Sequence, residues 1–173
     1  MTYTLIAHTE LTSAQANITF SSIPATFTDL LLVISPREAG SSFSATNLFL
    51  TLNGSTANFS ARHLFGTGSG VVSNTADRVL ATVNGGTSTA NTFGSVSVYF
   101  PNYRSNVAKS FSSDGVSENN STEAYQRISA HLWNNSAAIS SIALNMGNDN
   151  FVSGSSATLY GITAGSDGTT VVS

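Results

Sequence analysis

The sequence predicts an all-β fold: an antiparallel β-sandwich, jelly-roll-like, of about nine or ten strands. Three observations carry this. Apolar residues recur with a period of two in short runs, clusters of Gly, Asn, Ser and Thr separate those runs at regular intervals, and no stretch keeps a helical period long enough to bury a face. The 173 residues fit one domain, 1–173, because a single domain usually takes roughly 100–200 residues.

Taken in order, Tyr3 to Glu10 alternates, and Asn17 to Phe20 forms a second strand that stops at Ser21, Ser22, Ile23 and Pro24. Leu30 to Ile34 is continuously apolar before Ser35 and Pro36. That pattern predicts a central strand covered on both faces and ended by a residue without a backbone donor. Leu48, Leu50 and Leu52 share one face, and Asn53 with Gly54 tolerates the positive φ of a two-residue turn, so a hairpin returning through Phe59 to Phe65 is expected. Residues 66–94 form a long polar excursion with one strand near Val79 to Val83.

The second half alternates more cleanly. Val96, Val98 and Phe100 share a face, Pro101 ends that strand, and Lys109 to Asp114 makes a weaker one. Ile128, Ala130 and Leu132 alternate with Ser129, His131 and Trp133; Ile142, Leu144 and Met146 repeat the pattern, and Ala157 to Ile162 is the last strand. Leu32, Val98, Leu132 and Leu144 are therefore the expected core positions. One helical turn is expected over Ser121 to Gln126, with Ser121 as its cap, and the tail 163–173 is expected as an edge strand or a flexible end.

Composition narrows the function. Leu, Ile, Val and Phe make up roughly a quarter of the chain, enough for a core, while Ser and Thr fill about three positions in ten. Charged residues are only 9% and the net charge is −3. The six basic residues, Arg37, Arg62, Arg78, Arg104, Lys109 and Arg127, are scattered and expected to be solvated or singly paired. Neither nucleic acid nor a membrane is an expected partner. With no cysteine, disulfides and thiolate chemistry are absent, so stability is expected from packing and assembly. The first ten residues lack the basic and apolar regions of a signal peptide; the expectation is a chain made in a cytoplasm and released by lysis. A surface solvated by hydroxyls and amides suits a protein that docks against other proteins, because little charge must be desolvated.

No residue pattern calls for chemistry. His8, His63 and His131 lack metal-ligand spacing, and His131 is expected to share a sheet face with Trp133 as a packing or surface residue. Serine is too abundant for any one Ser, His and Asp match to mean much, and Glu118 with Glu123 lies in a polar loop. Asn148, Asp149 and Asn150 hold too few carboxylates for a calcium loop and are expected to form an Asx-stabilised turn. Gly66, Gly68 and Gly70 lack the Lys of a phosphate loop. The Asn-x-Ser/Thr triplets at Asn17, Asn53, Asn58, Asn119, Asn120 and Asn134 follow from composition. No catalytic, cofactor-binding or metal residue is assigned and no cofactor is expected. Trp133, Tyr99, Tyr103, Tyr125 and Tyr160 are the residues that could stack on sugars, with Trp133 better explained as a core or interface anchor.

From Phe93, Gly94 and Ser95 through Pro101, Asn102 and Tyr103, then Lys109, Ser110 and Phe111, Leu132 and Trp133, Ala138 and Ile139, the chain resembles a family of small bacteriophage virion structural proteins. The run Leu159, Tyr160, Gly161 and Ile162 is the most specific part; Ile18 to Pro24 and the Asn53 and Gly54 turn are similar more loosely. The resemblance implies a β-sandwich or jelly-roll module of a phage head or tail, and it brings no catalytic residues. The expectation is a capsid decoration or cement protein that bridges subunits of the major capsid protein in the virion. A homotrimer is expected, since local threefold positions are natural gaps to bridge. A tail-fibre or receptor- and glycan-binding component is the alternative, and a secreted lectin-like module comes third. The absence of a repeat-rich shaft favours the head.

Overall fold

A computed structural model describes residues 2–40, 42, 44–120, 124–147 and 149–164. Among them lie twelve strands: β1 (Thr2–Glu10), β2 (Asn17–Phe20), β3 (Asp29–Ser35), β4 (Ala45–Leu52), β5 (Phe59–Gly66), β6 (Val71–Asn74), β7 (Val79–Asn84), β8 (Ser95–Phe100), β9 (Lys109–Ser117), β10 (Tyr125–Trp133), β11 (Ile142–Met146) and β12 (Ser156–Thr163). They form two antiparallel sheets, one of eight strands in the order β1-β12-β3-β8-β9-β10-β5-β6 and one of four in the order β2-β11-β4-β7.

These orders contain a jelly roll. In β1-β12-β3-β8 against β2-β11-β4-β7, each strand of one sheet has its sequence neighbour in the other: β1 with β2, β3 with β4, β7 with β8, β11 with β12. That is the eight-strand double Greek key. The remaining strands, β9, β10, β5 and β6, continue the larger sheet past β8 as a four-strand extension. The excess over the nine or ten strands expected comes from short elements such as β6, four residues long.

Apolar alternation closes the jelly roll. Leu30, Leu32 and Ile34 of β3, Leu48, Leu50 and Leu52 of β4, and Val96, Val98 and Phe100 of β8 are buried, with Ile142, Leu144 and Met146 of β11. The run Leu30 to Ile34 is not covered on both faces, because Leu31 is half-buried and Val33 is exposed on the outer side. Among the described residues the larger sheet has no second layer there. Gly161, inside the most specific run of the last strand, has the ring of Phe27 where a Cβ would stand. Any side chain would expel that ring.

The turn at Asn53 and Gly54 forms as expected, with φ of 51° and 72°, and Ser55 N–H donates to the Leu52 carbonyl at 2.9 Å. The hairpin does not follow. Both sides of β4 are already paired, with β11 and with β7, so the chain crosses to the larger sheet and β5 lies between β10 and β6. The Asn53 side chain fixes the crossing: its Oδ1 accepts from Ser140 N at 2.8 Å and Ser141 N at 3.0 Å, and its Nδ2 donates to the Ala138 carbonyl at 2.7 Å.

The excursion at 66–94 holds two strands, β6 and β7, where one was expected. Its last part is organised by Arg37, which is buried rather than solvated. Its guanidinium donates to the carbonyls of Thr89 at 2.7 Å, Thr92 at 2.8 Å and Ser88 at 3.0 Å. The first three residues of the expected helical turn, Ser121 to Glu123, lie outside the described residues, while Tyr125 and Gln126 begin β10. Of the tail, Thr163 closes β12 and residues 165–173 lie outside the described residues.

Leu32, Val98 and Leu144 are fully buried, but Leu132 is 38% exposed. In β10 the inward set is Arg127, Ser129, His131 and Trp133, and the outward set is Ile128, Ala130 and Leu132. Strand phase admits one choice, since a shift by one residue flips every side chain. Trp133, 1% exposed and stacked on Phe59 with ring centroids 6.1 Å apart, takes the interior. An aromatic of roughly 200 Å² outweighs a leucine in that contest.

Candidate functional site

The inner face of the extension covers the free edge of β7. An edge strand leaves carbonyls and amides unpaired, and they need donors or water when buried. Here the Ser113 hydroxyl donates to the Leu80 carbonyl at 2.7 Å, and His63 Nε2 lies 2.9 Å from the Ala76 carbonyl in the approach to β7. Gly115 lets β9 press close, because a Cβ there would overlap the Ala81 methyl.

These contacts fix the histidine tautomers. His63 Nε2 must carry a proton to donate to a carbonyl, so its Nδ1 accepts from Ser129 Oγ at 2.7 Å. Ser113 has given its proton to Leu80, so His131 Nε2 donates to Ser113 Oγ at 2.9 Å. The two rings meet edge to face at 5.8 Å, and His131 stacks on Phe111 at 4.7 Å. Burial, then the neighbouring His63 and Arg127, push the His131 pKa down to about 3; burial also lowers that of His63. Both rings are neutral at pH 7.

Arg127 completes the cluster. Its guanidinium lies 5.2 Å over the Phe65 ring and donates to Thr82 Oγ1 at 3.2 Å, and desolvation lowers its pKa to about 10. Lys109 is also buried, its ammonium held by the carbonyls of Val107 at 2.5 Å and Asn135 at 3.4 Å. Three of the six basic residues, Arg37, Lys109 and Arg127, are thus interior and each holds more than one partner, where solvated or singly paired side chains were expected. The Ser129–His63 and Ser113–His131 pairs have the contacts of a nucleophile and its base, yet their hydroxyls point into the sandwich and Ser113 has already donated its proton. The Ser129–His63 pair meets the Ala76 carbonyl, and the Ser113–His131 pair the Leu80 carbonyl of β7.

The outer face of the same extension is different. Sheet register lines up Tyr99, Ser112, Ala130 and Arg62 in one row across β8, β9, β10 and β5, and Ser97, Asp114, Ile128 and Leu64 in the next. In the first row tall side chains stand at both ends and small ones in the middle; in the second, the short residues lie on the Tyr99 side and the aliphatics on the Arg62 side. The result is a trough of about 660 Å³. Its width is about 14 Å, four strands at roughly 4.8 Å spacing. The Ser97 hydroxyl donates to Asp114 Oδ1. At the far wall the Tyr99 hydroxyl donates to Asp29 Oδ2 at 2.8 Å, which anchors the ring; burial, then that carboxylate, push the Tyr99 pKa up to about 12.

The five aromatics singled out from sequence are sorted by this geometry. Trp133 and Tyr103 are core residues, the latter donating to the Pro24 carbonyl. Tyr125 and Tyr160 are half-buried; Tyr160 lies across β12 in register with Leu31, beside Tyr99. Tyr99 alone of the five is exposed and lines the trough. Sequence reasoning missed Arg62, Asp114 and Ser112. Their signal was the outward phase of β5 and β9, which follows once Trp133 sets the phase of β10.

The other candidates stay apart. His8 sits on β1, its Nδ1 2.8 Å from Thr158 Oγ1. Asp149 Oδ1 accepts from the adjacent Asn150 N at 2.7 Å, one residue short of the Asx turn expected, while Asn148 lies outside the described residues. Glu118 accepts from Asn120 N at 2.8 Å, and Glu123 lies outside the described residues. Among the described residues no three His, Cys, Asp or Glu side chains gather as a metal site, and no helix is long and apolar enough to cross a membrane.

The topology defines an all-β sandwich with a jelly-roll centre and a trough on the outer face of its extension. No protein-family model matches the chain, and no curated protein matches it either.

Proposed function

We propose that the chain is a structural component of a bacteriophage virion, a head decoration or cement protein that binds the major capsid protein and its own copies without catalysing a reaction. The observation that carries this reading is the state of the larger sheet's two edges. β1 runs nine residues with Tyr3 and Leu5 more than half exposed, and β6 exposes Val71 and Val72, with neither lysine nor proline on either strand. Natural edges of that kind are covered by neighbours. An edge on each side of one sheet allows a head-to-tail contact, which closes into a ring when the rotation permits. A trimer at local threefold positions is the ring this reading favours.

With charged residues at 9% of the chain, docking through such edges is apolar and backbone-mediated, so salt has little to screen. Purified particles washed in rising sodium chloride should keep the protein, and electron microscopy should place it on heads. Release at moderate salt overturns the charge-poor interface. Presence on isolated tails and absence from heads promotes the second reading, a tail-fibre or receptor-binding component, which the Tyr99 trough favours.

A further inference from the structure

The trough has the composition of a ligand site rather than of a protein contact. The centre of a protein–protein interface is depleted in acidic residues and serine, since each would be desolvated without a partner. Here Ser112, Ser97 and the Asp114 carboxylate form the base of the trough; Ser97 already donates to Asp114 Oδ1, and an aliphatic surface laid over the base would strand the Ser112 hydroxyl and the second Asp114 oxygen. A ligand carrying its own hydroxyls satisfies them. The walls supply the other half of the chemistry: the Tyr99 ring on one side, held by Asp29, and Ile128 on the other. Arg62 adds a donor at the end of the Tyr99 row, two strands from the Asp114 acceptor in the next row, so the trough carries one charge of each sign. The volume of about 660 Å³ falls within the roughly 300–1,000 Å³ of small-ligand sites.

We infer that the trough binds a neutral pyranose of a surface glycan, its C–H face stacked on Tyr99 and its hydroxyls shared between Asp114 and Arg62. A pyranose has one apolar face and a rim of paired donors and acceptors, matching a ring wall beside a carboxylate and a guanidinium. An anionic sugar is disfavoured because Asp114 offsets the only cation in the trough. A nucleotide is disfavoured because its phosphates need clustered donors. The inference deepens the receptor-binding reading and does not depend on where the protein sits on the particle.

Saturation-transfer NMR on the full chain tests it. The probes are methyl α-D-mannoside, methyl β-D-galactoside, methyl α-L-rhamnoside and N-acetylglucosamine, with glucuronate and sialyllactose as anionic comparisons. At least one neutral probe should receive saturation at its C–H protons. Ser112→Trp, on an exposed position, should fill the trough and abolish the signal, and Tyr99→Ala, which removes the stacking ring, should abolish it as well. Asp114→Ala should weaken binding about tenfold or more, the loss of a hydrogen bond to a charged group. Saturation of no neutral probe, of anionic probes alone, or of a probe indifferent to Ser112→Trp overturns the inference. So does a dimer in sedimentation that Ser112→Trp disperses, because a second copy would then be the occupant. A protein found on virions that binds none of these sugars refutes this site and leaves the virion reading intact.

Discussion

In the jelly-roll half, Leu32, Val98 and Leu144 point inward and meet the facing sheet; in the extension, the inward positions of β10 hold Arg127, Ser129, His131 and Trp133, while Ile128 and Leu132 face out. The same eight-stranded sheet therefore changes sense along its width. Where two sheets close on each other, apolar residues fill the gap because nothing there needs a hydrogen bond. Past β8 the cover is the edge of β7, where the Ser113 hydroxyl donates to the Leu80 carbonyl and His131 backs that hydroxyl. A polar interior frees the outer face of the extension to be shaped by small residues between taller ones. The trough lies on that outer face, away from the jelly-roll core.

The largest effect expected is loss of packing in the jelly-roll half and at its junction with the extension. Leu144→Ala should cost about 2–5 kcal/mol and Trp133→Ala about 3–5 kcal/mol, by lost transfer energy and an unfilled cavity. Urea denaturation with an unchanged slope checks both. If Trp133→Ala proves nearly neutral, the extension is not anchored through β10 and the contrast between the two regions fails.

Acid should separate the regions next. The folded pKa of His131 is about 3, against about 6.5 in the unfolded chain, so below pH 6.5 the unfolded state takes up the proton first. Stability from this residue is fully present above pH 6.5 and declines as pH falls toward 3. At pH 4.5 the loss is on the order of 2–3 kcal/mol, from two units of unfavourable titration. His131→Phe, which keeps the stack on Phe111, should flatten that decline in denaturation series between pH 7 and 4.5. Equal slopes in the two proteins would mean the imidazole is hydrated in the native state.

The jelly-roll half was legible in the sequence because three apolar residues share one phase against a single aromatic in the other: Leu48, Leu50 and Leu52 against Phe49, or Val96, Val98 and Phe100 against Tyr99. β10 was not, because Ile128 and Leu132 compete with Trp133 in the opposite phase, and apolar count favoured the wrong one. The Asn53 and Gly54 turn was legible as a turn. Its hairpin was not, because φ is local while the vacancy beside β4 depends on strands ninety residues away in sequence. Arg37 and Lys109 could not be placed inside from the sequence because their partners are mainly backbone carbonyls, which leave no mark on a side-chain pattern, and Arg127 because its partners Thr82 and Phe65 come from distant strands. The trough needed four strands in register, and register was beyond the sequence once the phase of β10 was misread.

The smallest stability effect should fall on the outer face of β10, and its smallness is the sharpest test of the inverted sense. Leu132→Ser replaces a side chain 38% exposed that faces away from the core, and Ile128→Ser one 51% exposed. Surface changes away from caps, charges and cavities usually stay within about 0.5 kcal/mol, and half-buried aliphatics add some lost contact, so each should cost under about 1 kcal/mol. Were the phase of β10 the other way, Leu132→Ser would remove a core side chain and leave a buried hydroxyl, a cost of several kcal/mol by cavity and desolvation together. The two outcomes differ by more than the error of a urea midpoint. Leu132→Ser paired with Leu144→Ser under identical conditions removes the dependence on absolute values, because the same chemical change is made once outward in the extension and once inward in the jelly roll. A ratio near one would place both leucines in the same kind of environment and collapse the distinction. A loss confined to Leu144→Ser fixes β10 with Trp133 inside, and with it the outward row of Ile128 that forms one wall of the trough.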